Sequence, residues 1–208
     1  MPTNIFHITH INNLSSIIKN GCLWSDKQKN VKGLACVSIA HQSLKTRRSI
    51  IRVPLSPDGT LDDYVPFFFA PRSPMLYSIH NNNVENYTGG QNPIVYLVST
   101  IDAVIQNGLP FVFYDGHPVM ALSQAYNDVI HLNKIDWNVM NSRFWFDSNE
   151  DPDRKRRRMA EFLVYDHYPF SLIHEIGVMD ATMVMRVTAL VNNLQPAPVV
   201  SIQNKWYY

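Results

Sequence analysis

The chain has 208 residues, enough for one well-packed domain, and 46% apolar with 12% aromatic content marks a folded protein, not a disordered one. A net charge of +1 excludes a global field as the driver of binding, so an anionic partner has to be met by local patches. Two cysteines, Cys22 and Cys36, are too few for a disulfide scaffold and lack metal-site spacing with histidine, which points to a reducing compartment and to no bound metal. No apolar run approaches ~20 residues, and Met-Pro-Thr-Asn does not open a secretory signal, so a cytoplasmic protein without membrane contact is expected.

Residues Ile5–Thr9 predict a first strand with His7 inside it. Leu14, Ile17 and Ile18 follow at helical spacing, and Asn20-Gly21 stops that helix. The stretch Ser25–Arg52 is polar, basic and poorly periodic, with at most a thin helix over Ser38–Arg48. A segment that buries little is expected to be mobile, either as a plain surface loop or as a flap that brings Lys45, Arg47 and Arg48 over a ligand. Tyr64–Ala70 predicts an apolar strand, and Ser73-Pro74 the start of a helix running to Ile79. Arg72 stands just before that start, where backbone N–H groups are free for a phosphate.

Asn81–Asn92 is turn-rich, Ile94–Val98 predicts a strand, and Ser99-Thr100 caps a helix over Ile101–Gln106 that Gly108 stops. Phe111–Tyr114 predicts another strand. Helices are predicted over Val119–His131 and, more weakly, Ile135–Met140. Five consecutive cations, Arg154–Arg158, then lead into the strand Glu161–Tyr165. Alternation puts Glu161, Leu163 and Tyr165 on one face of that strand. An acidic side chain so placed is costly unless it is paired or used. Ile173–Val178 predicts a strand, Thr182–Asn192 an amphipathic helix, and Pro198–Ile202 a last strand before a packed aromatic tail, Lys205-Trp-Tyr-Tyr. Dinucleotide-binding and P-loop glycine signatures are absent. The pattern is that of a single α+β domain over residues 1–208 with a mixed or antiparallel sheet.

Several motifs occur in a fixed order. They are His-Ile-Thr-His, an arginine pair before Val-Pro, Asp-Tyr-Val-Pro-Phe-Phe-Phe-Ala-Pro-Arg-Ser-Pro-Met-Leu-Tyr (63–77), Gly-Gly-Gln, Leu-Pro-Phe-Val-Phe, Glu161-Phe-Leu-Val-Tyr and the terminal Trp-Tyr-Tyr. Over essentially its whole length the chain resembles the DarT toxins of DarT–DarG toxin–antitoxin systems. The resemblance implies an ADP-ribosyltransferase fold related to poly-ADP-ribose polymerases, with a split central sheet. It implies transfer of ADP-ribose from NAD to a base of single-stranded DNA, thymine in the larger branch of the family and guanine in the alternative. It further implies a DarG-like macrodomain antitoxin that removes the mark.

By position, Glu161 and Arg48 match the family's catalytic residues. His7, Thr9, Asn13, Leu14, Tyr77 and again Arg48 fall at its NAD site. Arg72, His117, Arg154, Arg156 and Arg157 are the expected contacts to DNA. The competing readings are a catalytically inactive nucleic-acid-binding domain on this scaffold and an enzyme that modifies protein or RNA. The intact His7 and Glu161 favour the transferase.

Overall fold

The computed structural model describes residues 3–208. The chain begins with strand β1 (Asn4–His10), helix α1 (Leu14–Asn20), strand β2 (Cys22–Trp24), and helices α2 (Asp26–Val31) and α3 (Gln42–Arg48). Strand β3 (Tyr64–Phe68), helix α4 (Pro74–His80), strand β4 (Ile94–Thr100), helix α5 (Ile101–Gln106), and strands β5 (Phe111–Tyr114) and β6 (Ala125–Tyr126) follow. The remainder is α6 (Trp137–Asn141), α7 (Arg154–Arg158), β7 (Glu161–Tyr165), β8 (His167–Pro169), β9 (Glu175–Val178), α8 (Ala181–Val191) and β10 (Val199–Ile202).

Eight strands form one sheet in the order β10-β9-β4-β1-β3-β7-β5-β6, while β2 and β8 pair separately. Every pairing in the large sheet is antiparallel except β10 with β9. The architecture is the α+β mixed sheet that the sequence predicts.

The sheet is split at its centre. Strand β1 pairs with β4 along its whole length but meets β3 through a single pair, Phe6 with Phe68. Alternation distributes the strand side chains to two faces. Ile5, Val95, Leu97, Phe162 and Val164 face one core, which α1, α5 and α8 cover with Leu14, Ile101, Val104, Met183 and Val187. Phe6, Ile8, Tyr96 and Val98 face the other, closed by Leu76 and Ile79 of α4 and by Tyr207. Local chemistry sets the helix starts. Ser73 accepts from the Leu76 N–H at 3.2 Å, Thr100 from the Ala103 N–H at 3.0 Å and Asp180 from the Met183 N–H at 2.9 Å. Gly21, at φ 68°, ends α1 in the left-handed conformation. The aromatic tail packs as predicted. Tyr207 is buried and donates to the Ile94 carbonyl at 2.8 Å, and Trp206 lies where a side chain on Gly177 would stand.

Three sequence expectations are corrected. Val119–His131 is not a helix: it holds turns, the two residues of β6 and the start of a 3-10 segment, Val129–Lys134. The chain there is held by other bonds. Ser123 donates to the His117 carbonyl, β6 pairs with β5, and the Asp128 carboxylate caps Ile130. The helix expected over Ser38–Arg48 is confined to α3. Ser25–Arg52 nevertheless contains two helices, although it buries only Ser25 and Ile39.

Candidate active site

A cavity of about 780 Å³ opens where β1 and β3 part, within the size range of cofactor sites. His7 and Thr9 of β1, Pro66 and Phe68 of β3, Glu161 of β7, and Arg48 of α3 all contribute to its wall. The split in the sheet therefore brings residues 7, 48 and 161 together from distant parts of the chain.

Glu161 opens strand β7 opposite Phe68, and its side chain is only 6% exposed. Its partner is Arg48, whose Nη1 donates to Glu161 Oε2 at 2.8 Å while Nη2 donates to the Leu61 carbonyl at 3.3 Å. Arg48 comes from the last turn of α3 and is itself 13% exposed on its side chain. The neighbouring Arg47 points elsewhere and donates to the Val119 carbonyl at 3.2 Å. Of the arginine pair, Arg48 is the one that reaches the carboxylate.

His7 crosses the split. Its Nδ1 lies 2.8 Å from the Pro66 carbonyl, which can only accept, so Nδ1 carries the proton and Nε2 keeps the lone pair. Burial lowers the His7 pKa to about 4, so the imidazole is neutral at physiological pH. Asn13 ties the basic segment to the corner between β1 and α1. Its Nδ2 donates to Thr9 Oγ1 at 3.1 Å and to the Val37 carbonyl at 3.0 Å, and its Oδ1 accepts from the Val37 N–H at 2.8 Å. Tyr77 stands in the cavity wall on α4, its ring edge-on to Trp145, Phe146 and Tyr208. His117 also lines the cavity, with Nδ1 enclosed and unpartnered.

Other expected site residues lie apart. The Leu14 side chain is fully buried in the core beneath the sheet and forms no part of the cavity wall. Arg72, at a positive φ of 56°, donates to the Tyr207 carbonyl at 2.7 Å, with its guanidinium 4.3 Å from the Tyr208 ring centre. It fastens the tail and does not line the cavity.

The basic run is an internal network. Arg156 binds both carboxylate oxygens of Asp153 at 2.7 Å and reaches Asp115 at 3.2 Å. Arg157 is bonded to Asp136 and Asp151, and Arg154 to Ser142 and the Phe144 carbonyl. Arg158 is buried and donates to the carbonyls of Val139, Met140 and Pro71. A row of cations expected to face a polyanion is thus largely neutralised by aspartates that fold onto it. Of the four arginines expected at DNA, Arg72, Arg154, Arg156 and Arg157, Arg156 alone borders the cavity, beside the exposed Lys155.

The structure adds wall residues that sequence reasoning missed. Trp24, Asp26 and Lys29 come from β2 and α2, with Lys29 Nζ 2.5 Å from Asp26 Oδ1. The Ser25-Asp26 start of a helix was the available signal. Trp145 and Phe146 enter from the loop after α6.

Residues 6–208 match the family model described as ssDNA thymidine ADP-ribosyltransferase, DarT. A DNA ADP-ribosyl transferase of Thermus sp. (strain 2.9) is 41% identical over 209 residues, covering 100% of this chain and 97% of the relative. Solved structures of Thermus sp. 2.9 DarT align over 100% of this chain. The one in complex with ADP-ribosylated ssDNA has TM-score 0.92 at 40% identity, covering 97% of that chain. The one in complex with NAD+ has TM-score 0.87 at 38% identity, covering 98%. A DNA ADP-ribosyl transferase-DNA ADP-ribosyl glycohydrolase fusion protein of Thermosipho africanus is 25% identical over 91% of this chain and 46% of its own length. With the match running through β1, α3 and β7, which carry His7, Arg48 and Glu161, the chain belongs to the DarT family of ssDNA thymidine ADP-ribosyltransferases.

Proposed function

We propose that this chain transfers ADP-ribose from NAD to the ring nitrogen N3 of thymine in single-stranded DNA and releases nicotinamide. The observation that carries the reading is the cavity at the sheet split, where a nearly enclosed carboxylate, its arginine partner and a neutral histidine converge.

Nicotinamide departs with the electron pair of its bond to the ribose C1″ carbon, leaving an oxocarbenium-like centre, as in glycoside cleavage. Glu161 holds the 2″-hydroxyl of that ribose and stabilises the growing positive charge. Its place at the start of a paired strand keeps it rigid. For Glu161 to take the hydroxyl, Arg48 shares or yields the oxygen it now binds. His7 Nε2, an acceptor by its tautomer, binds a hydroxyl of the other ribose.

Thymine N3 then attacks C1″, and its proton passes to solvent. Arg48 remains protonated at any working pH, so it is not the base. It supplies positive charge for the imide anion or the pyrophosphate. The segment 25–52, tied through Asn13 to Val37 and through Arg48 to Glu161, covers the cavity and limits water, the competing acceptor. Lys155 and the exposed Phe146 ring in the cavity wall receive the DNA strand by charge and stacking, while Tyr77 beside Phe146 packs against NAD.

Among the described residues no helix is long and apolar enough to cross a membrane. An enzyme that uses NAD and DNA works in the compartment that holds both, which we take to be the cytoplasm. A partner glycohydrolase of the DarG kind reverses the mark. The direct test is nicotinamide release from NAD with a thymine-containing oligonucleotide and with the same strand lacking thymine. Release in both, or in neither, would remove the proposal.

A further inference from the structure

Arg72, Gln91 and Tyr208 belong to three of the ordered sequence motifs, and none of them lines the cavity. The fold brings them together behind it. Gln91 Oε1 accepts from the Tyr208 N–H at 3.0 Å, and Gln91 Nε2 donates to the Tyr208 carbonyl. The Arg72 guanidinium lies over the Tyr208 ring. Both the main chain and the ring of Tyr208 are thereby fixed, and so is the place of its hydroxyl.

Burial pushes the Tyr208 pKa up, so the phenol keeps its proton. The hydroxyl donates to the Arg72 carbonyl at 2.6 Å and accepts from Trp145 Nε1 at 2.6 Å. Trp145 is 2% exposed, so its indole N–H depends on that oxygen. Trp145 in turn stacks on Phe146, with ring centres 4.2 Å apart and planes at 26°, and Phe146 stands 49% exposed in the cavity wall. The loop carrying both rings is tied at Phe144, whose carbonyl accepts from Arg154 Nε at 2.9 Å, and at Asp147, whose carboxylate accepts from the Lys155 N–H at 2.7 Å. Between those two ties, the bond to Tyr208 fastens the loop to the body of the fold.

We propose that Tyr208 is a positioning residue for the transfer reaction: its hydroxyl holds Trp145, and through the stacked pair it sets the pose of Phe146 toward the DNA strand. This rests on Phe146 receiving that strand. A base stacks well only on a face held at the right tilt, and a ring fixed beforehand has less freedom to lose when the strand arrives. NAD is spared, because Tyr77 meets Tyr208 ring to ring and needs no hydroxyl. The hydroxyl therefore acts on DNA and not on NAD.

The experiment compares the unaltered protein, Tyr208→Phe, Trp145→Phe, the double variant and Phe146→Ala. Steady-state transfer to a thymine oligonucleotide is measured at saturating NAD, and NAD affinity by calorimetry on the same preparations. Tyr208→Phe keeps the ring and removes only the oxygen. It should raise KM for the oligonucleotide about 5- to 10-fold, with kcat and the Kd for NAD within about 2-fold of the unaltered protein. Unfolded molecules would lower the apparent kcat and the number of NAD sites but not KM, so the split does not depend on how much of a variant folds. Trp145→Phe should raise KM by a similar factor, and adding Tyr208→Phe to it should change KM by less than about 2-fold. Factors that multiply would show that the hydroxyl does not act through Trp145 and would overturn the proposal. An unchanged KM in Tyr208→Phe, or a Kd for NAD that rises as far as KM, would overturn it too. An unchanged KM in Phe146→Ala would instead overturn the reading of Phe146 as a DNA contact. Absence of transfer by the unaltered protein would overturn the underlying activity, and the proposal with it.

Discussion

Removing Arg48 and Glu161 singly and together should reveal a coupling of about 2 kcal/mol between them. The two side chains are 13% and 6% exposed and bonded at 2.8 Å, which sets them apart from surface pairs, typically worth below ~1 kcal/mol. A fully buried pair that loses one partner costs ~3–5 kcal/mol, because an uncompensated charge stays behind. The cavity beside this pair admits water, which softens that penalty and places the coupling between the two limits.

Arg48→Ala should therefore destabilise the fold by about 2–3 kcal/mol, and adding Glu161→Ala should recover most of the loss. For a chain of this length the single change lowers Tm by roughly 4–12 °C. Urea unfolding of the four proteins measures the cycle. Single effects that simply add, within ~0.5 kcal/mol, would show that the pair is not a unit. Transfer should behave in the opposite way. Both single variants and the double variant lose it, Glu161→Ala by at least ~10²–10³ in rate, because stability recovered by the double change restores no charge at the ribose.

Two other expectations follow from the site's surroundings. Burial sets the His7 pKa at about 4, against 6.5 in the unfolded chain. The unfolded chain takes up a proton between these values that the folded chain refuses, so stability from neutral His7 is present above pH 6.5 and lost as pH falls toward 4, by up to about 3 kcal/mol. NAD affinity measured by calorimetry should stay level down to about pH 5, and a midpoint near 6.5 would mean an ordinary solvated imidazole. In DNA binding, Lys155→Gln should flatten the log–log salt dependence by about 0.7, one phosphate contact on a single strand. Arg157→Gln, which breaks bonds to Asp136 and Asp151, should lower stability by about 1–2 kcal/mol and leave the slope nearly unchanged. A slope that responds to Arg157 and not to Lys155 would return the basic run to the DNA.

Much of this was legible in the residues. Long apolar strands such as β4 and β7 announce themselves, and Ser73-Pro74 and Asn20-Gly21 mark helix ends by local chemistry that tertiary contacts do not overrule. The resemblance placed His7, Arg48 and Glu161, and the fold brings those three to one cavity. What escaped is what depends on distant partners. The three residues of β2 are strand only because β8 pairs with them. The apolar spacing in Val119–His131 imitates a helix, yet the chain there is held by Ser123, Asp128 and a two-residue strand. The run Arg154–Arg158 shows five charges in sequence but gives no sign that Asp115 and Asp136 fold against it. Asp26 and Lys29 escaped for another reason: they pair locally on α2, whose Ser25 cap stands in a segment with no apolar periodicity to support a helix.

The central claim is that Glu161 directs ADP-ribose onto the N3 nitrogen of thymine, and the mass of the DNA product tests it most directly. An oligonucleotide with a single thymine, incubated with NAD, should gain the mass of one ADP-ribosyl group from the unaltered protein and none from Glu161→Ala. The same strand with N3-methylthymine in place of thymine should gain none from either. An adduct formed on the N3-methylated strand, or by folded Glu161→Ala at the rate of the unaltered protein, would contradict the account.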